Sequence, residues 1–144
     1  MSRSLRIAEF MAERLNEHFT SGLVSAMVFL RKDLKTEIAA KVGKINGALI
    51  VIYYDGFRNA DASGAMNPTV TRYYTVSIHT RPLLRDVVDL HAEDIAEEAA
   101  KALHAWEPDE TLEGFVEITV NSCDVEPDQT LLIYQLEVQA ISRL

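Results

Sequence analysis

Apolar positions return every three or four residues along the first stretch of the chain. Within residues 4 to 19, Ile7, Phe10, Met11 and Leu15 fall at that spacing, which places them on one side of a helix. Ser21-Gly22 follows as a stop signal, because glycine accepts the left-handed conformation that ends many helices. The next run, VSAMVFL over residues 24 to 30, suits a short strand and a buried helical turn equally, and the pattern leaves both open. Asp33 is placed to cap a second helix, with Leu34, Ile38, Val42 and Ile45 along its buried side.

The period then changes. GALIVIYYD, residues 47 to 55, is apolar at nearly every position and predicts a strand covered at least partly on both faces. Tyr74, Val76 and Ile78 alternate with Thr75, Ser77 and His79, which predicts a strand with one buried and one polar face, ended by Pro82. Val88, Ala92, Ile95, Ala99, Ala102 and Trp106 step by four and three, predicting a long helix over 88 to 106. Asp86 or Asp89 would cap its start, Glu93, Asp94, Glu97 and Glu98 would face solvent, and Pro108 follows as a stop. Trp106 reads as a core residue at the helix end rather than a stacking platform for a ligand.

Two alternating stretches close the chain. Val116, Ile118 and Val120 alternate with Glu117, Thr119 and Asn121. Leu132, Tyr134, Leu136, Val138 and Ala140 alternate with Ile133, Gln135, Glu137 and Gln139. EPDQ between them has turn chemistry, so the pair predicts an antiparallel hairpin. The expected fold is a single α+β domain over residues 1 to 144. It has a mostly antiparallel sheet of about four strands packed on the long helix, with N-terminal helices and a long flexible loop between the middle strands. The sheet face away from the helix would carry Ser, Thr, Asn and Gln side chains, with Ser77 and His79 among them.

That loop, GFRNADASGAMNP over residues 56 to 68, is the part of the pattern that packing explains least. Connections between strands in compact domains are usually only a few residues long. FRNADASGAMN is short of β-branched residues and predicts no strand, yet it holds Phe57, Arg58 and Met66. Phe, Met and Arg are enriched in interface cores. The expectation is a contact arm that orders against another subunit, with Phe57, Arg58, Asn59, Asp61, Met66 and Asn67 as its interface residues.

Composition narrows the function. The net charge is -8, which argues against bulk electrostatic binding of nucleic acid. No apolar run approaches the ~18 residues of a membrane span, and the N-terminus lacks the continuous apolar core of a secretory signal. One cysteine, Cys123, rules out an internal disulfide framework. It is expected on the outward side of its strand beside Asp124, where a carboxylate disfavours the thiolate. No nucleophile elbow, phosphate loop or HExxH motif is present. His91, Asp94 and Glu98 fall on one helix face and form the best divalent-metal candidate, but that face is the solvated one. No catalytic residue, metal site or cofactor is assigned.

GALIVIYYDG with the loop after it, RYYTVSIHTRPLLRD, LHAWEPDETLEGF and LLIYQLEVQAI together resemble the tail terminator, or tail completion, proteins of lambda- and Mu-like phages and prophages. The resemblance spans most of residues 45 to 144. It implies a structural, non-enzymatic subunit of a homo-oligomeric, six-membered ring in the family's manner, one that caps the tail tube, ends its polymerisation and joins tail to head. The implied partners are the tail tube protein and a head completion protein. DNA would pass through the lumen without specific binding, and no membrane is involved. The implied location is the host cytoplasm during assembly, then the virion tail. The alternatives are another head-tail connector or minor tail protein, and a small divalent-metal enzyme using His91, Asp94 and Glu98.

Overall fold

The computed structural model describes residues 3–20, 24–29, 48–59, 69–80, 92–106, 116–127 and 132–143. Helix α1 (Arg3–His18) buries Ile7, Ala8, Met11, Ala12 and Leu15, the side that the spacing selects. VSAMV resolves as a strand, β1 (Val24–Val28). Strands β2 (Ala48–Asn59) and β3 (Thr69–Thr80) follow, then helix α2 (Ala92–Leu103), and strands β4 (Val116–Pro127) and β5 (Leu132–Arg143) close the chain. The expected second helix, with Asp33, Leu34, Ile38, Val42 and Ile45, lies outside the described residues, as do Pro82, Asp86, Val88, Asp89 and Pro108.

The sheet has five strands in the order β1-β2-β3-β5-β4. It is mixed, where about four mostly antiparallel strands were expected. The difference is β1, which pairs in parallel with β2, while the β2–β3, β3–β5 and β4–β5 pairs are antiparallel. Five residues are too few to reveal an alternation, which is why the sequence alone did not separate this strand from a helical turn. The α2 helix is also shorter than expected within the described residues. It ends at Leu103, and Ala105 takes a positive φ of 58° that turns the chain away.

Both helices pack on one face of the sheet. Their buried residues join Ile50, Ile52, Tyr74, Val76, Ile78, Ile118, Leu136 and Val138 in the main core. The opposite face holds a smaller apolar cluster of Phe29, Leu49, Val51, Tyr53 and Ile133. This corrects the expectation of an open polar face, since Ser77 and His79 are only 2% and 6% exposed. The reason lies in register. Leu49 and Ile133 flank His79, and Val51 flanks Ser77, so apolar neighbours from the adjacent strands surround them.

Polar side chains fasten the layers. Arg14 donates from Nε to the Ala102 carbonyl at 2.7 Å, tying α1 to the end of α2. Its guanidinium also lies 4.9 Å from the centre of the Trp106 ring. Trp106 packs against the core but is only half-buried, which qualifies its reading as a core residue. Trp106→Ala is therefore expected to cost about 1.5–3 kcal/mol, below the range for a fully buried tryptophan, with part of the loss coming from the Arg14 stack. A thermal melt lowered by roughly 3–12 °C would match that cost. An unchanged melt would show that the ring does not support the core.

Candidate assembly interface

The sheet edges and their ends decide which surfaces can meet another chain. A free edge invites pairing, and native sheets usually cover it. On β1, the Asn16 side chain plays the part of a neighbouring strand. Its amide nitrogen donates to the Ala26 carbonyl at 3.0 Å, and its oxygen accepts from the Ala26 N–H at 2.9 Å. On β4, the turn after α2 covers the first half of the edge. Ala105 N–H donates to the Ile118 carbonyl, Ile118 N–H donates to the Trp106 carbonyl, and Val120 N–H donates to His104 Nδ1. Beyond Val120, no described element other than β5 pairs with β4.

A register shift between Val120 and Ser122 changes what this strand presents. Such a bulge inserts one residue and reverses the alternation that follows. Cys123 then stands opposite Leu136, and Val125 opposite Tyr134, so both lie on the helix side of the sheet. The expected outward placement of Cys123 is thus corrected, although the residue is exposed. Partial burial pushes its thiol pKa up, and the carboxylates of Asp124, Glu93 and Glu97 add to that shift. The thiol is accordingly held protonated and unreactive at neutral pH. Between β4 and α2 lies a groove of about 430 Å³, floored by Ala96, Ala100 and Leu136 and rimmed by Glu93, Glu97 and Val125. Val125 is 54% exposed.

The β2–β3 hairpin is built differently from the expected loop. Phe57, Arg58 and Asn59 continue β2, paired with Arg72, Thr71 and Val70. A second register shift, between Tyr54 and Gly56, makes this possible. Gly56 adopts a φ of 114°, which side-chain-bearing residues rarely tolerate, so the glycine serves a bulge where its neighbours would otherwise leave the ladder. The expectation that FRN leaves the sheet is therefore corrected. The propensity of the segment is weak, but pairing with β3 overrides it. Asp61, Met66 and Asn67 lie outside the described residues, so the arm proper is not brought together with Phe57 and Arg58 here.

The hairpin end carries two exposed aromatics on the helix side. Phe57 is 54% exposed and Tyr54 39%. Arg58 is on the other side, its guanidinium 5.6 Å from the centre of the Tyr73 ring. Asp55 accepts a hydrogen bond from Thr75 Oγ1 at 2.6 Å across the hairpin. The start of α1 is anchored over this end. Tyr74 donates its hydroxyl to the Ser4 carbonyl at 2.7 Å, and Arg72 donates from Nε to Ser4 Oγ at 2.9 Å and from its terminal nitrogen to Ser142 Oγ.

Only part of the metal candidate falls within the described residues. His91 lies outside the described residues and Asp94 is exposed. Glu98 is bonded to His18 Nε2 at 2.9 Å and to Lys101 at 3.3 Å, and these partners, His18 first, hold its carboxyl below the usual range. Among the described residues, no three metal-ligating side chains converge.

With the geometry in view, comparison with known proteins gives one kind of result. No protein-family model matches the chain, and no curated protein matches it. The fold, however, is similar to one already solved. A chain from the virion of a native gene transfer agent particle superposes with a TM-score of 0.56 at 12% identity, over 99% of this chain and 100% of that one. At that identity the likeness is one of fold.

Proposed function

We propose that this chain is a structural virion subunit and, more narrowly, a phage or prophage tail terminator. In this reading it forms a ring on the tail tube, stops tube growth and offers a surface to the head. The observation that carries the broader reading is the whole-length likeness of fold to a chain of a gene transfer agent virion. The narrower reading adds the resemblance in strand and turn pattern over residues 45 to 144. Exposed Phe57 and Val125, on different parts of the subunit, suit a head-to-tail contact between unlike patches, the kind that closes a ring.

Electron microscopy of the purified protein over a wide concentration range, with native mass spectrometry alongside, tests this role. Rings of a single size are expected, and tail tubes mixed with the protein should stop elongating at one end. A stable dimer carrying bound metal would overturn the structural role. The virion likeness also suits a head-tail connector or minor tail protein. Rings that bind heads but leave tube growth unaffected would favour that second reading.

A further inference from the structure

We infer that the hairpin end of one copy, led by Phe57, docks in the groove between α2 and β4 of the next copy. This rests on the ring reading and names its contact.

Two complementary patches motivate it. The groove is open and apolar at its floor, and its α2 rim is acidic, with Glu93 and Glu97. The alanines at positions 96 and 100 are one turn apart on α2 and leave space above Leu136 that larger side chains would fill. This is also where, among the described residues, only β5 pairs with β4, past the protection that His104, Ala105 and Trp106 give to its first half. The hairpin end has the opposite character. Phe57 and Tyr54 supply exposed aromatic surface on the helix side, and Arg58, the residue after Phe57, adds an exposed positive charge on the reverse side of the strand. In a chain of net charge -8, a basic aromatic end and an acidic apolar groove match in sign as well as in polarity. Within one subunit the two are far apart. Phe57 is in register with Ile118 through Arg72 and Ala140, so three strand spacings separate β2 from β4. Adding the run from Ile118 to Cys123, the separation is roughly 20 Å. The groove can therefore meet Phe57 only in another copy, and each copy offers one groove and one hairpin end, which is a heterologous contact.

Cys123 supplies the test, because it lines the groove and is the chain's single cysteine. A disulfide needs Cα atoms within about 7 Å, so a bond from position 57 to Cys123 is possible only between copies. Phe57→Cys protein is treated with a mild oxidant at raised pH and run on a non-reducing gel, with Phe57→Cys/Cys123→Ser as the control. The expected result is a ladder of linked copies that ends at the ring size and is absent from the control. Arg58→Glu supplies a second readout that leaves the aromatic in place. It should raise the concentration needed for assembly by roughly tenfold or more, and Glu93→Arg in the same chain should restore it. Rings that form without the 57–123 link, together with no effect of the charge reversal, overturn this contact while the ring reading stands. Linkage that stops at a dimer shows a two-fold contact and overturns both. Monomers at every concentration in both the parent protein and the Phe57→Cys variant overturn both as well.

Discussion

Tyr74→Ala is expected to lower the free energy of unfolding by about 3–5 kcal/mol. The side chain is 1% exposed, at the centre of the sheet on the helix side. Removing it leaves a cavity in the main core and strips one side of the Tyr54 ring, whose centre is 5.3 Å away. It also deprives the half-buried start of α1 of a hydroxyl donor to the Ser4 carbonyl. For a chain of this length the total stability is roughly 7–20 kcal/mol, so the loss is a large share of it. The melting temperature should fall by roughly 6–20 °C. Tyr74→Phe separates the parts, since it keeps the ring and removes only the hydroxyl, at about 1 kcal/mol. A Tyr74→Ala protein that melts within 2 °C of the parent would mean that the sheet centre tolerates the cavity. The expected damage also extends outward. Arg72 and Tyr74 together hold the first turn of α1 over the base of the hairpin, so loosening them frees the end that carries Phe57.

The elements with long, regular periods were legible in the sequence. Ile7, Met11 and Leu15 mark the buried side of α1, and Ile95, Ala99 and Ala102 that of α2. The alternations of Tyr74, Val76 and Ile78, and of Leu136, Val138 and Ala140, give the helix-facing side of β3 and β5. What escaped was set by contacts between elements. β1 is short, and only its pairing with Ala48–Ile52 makes it a strand. Ser77 and His79 look like solvent-facing positions in their own strand and are buried by side chains from the neighbouring ones. EPDQ carries turn residues, yet β4 runs on to Pro127, which stands opposite Leu132. Proline is tolerated there because it sits at the end of an edge strand, where a missing N–H costs little.

The candidate interface was legible in part. Phe57 and Arg58 drew notice because their chemistry did not suit an idle loop, and both are exposed. The groove was not visible, and the reason is the bulge between Val120 and Ser122. A strict two-residue alternation carried through NSCDV places Cys123 and Val125 on the wrong side of the sheet. Gly56 has the same effect in β2, where an Asp-Gly pair that resembles turn chemistry instead serves a bulge at φ 114°. One inserted residue in each strand thus determines which side chains each proposed contact surface presents, and no composition rule marks where the insertion falls.

Raising the pH above 10 is expected to destabilise the fold, in part through two buried tyrosines. Burial raises the Tyr53 hydroxyl from 10.0 to about 12, and burial raises Tyr74 further still. Tyr53 packs in the second apolar cluster, with the Phe29 ring 6.5 Å away at 84°. The sign follows from which form the fold accepts. Both tyrosines stay neutral in the folded chain at pH values where the unfolded chain ionises them. Their stabilisation is therefore complete below pH 10 and is lost as the pH rises toward the folded value, which for Tyr53 is about 12. For Tyr53 alone the loss is on the order of 1 kcal/mol by pH 12, less than the whole shift would give because water screens a half-buried hydroxyl. Denaturant unfolding from pH 9 to 12 reads the slope, and ultraviolet absorbance follows tyrosinate in the same samples. Lysines titrate in that range too, so the deciding comparison is with Tyr53→Phe, which should flatten the alkaline fall by the Tyr53 share. An equal fall in both proteins would mean that the Tyr53 hydroxyl reaches water in the folded chain and that the cluster on the second face is open there.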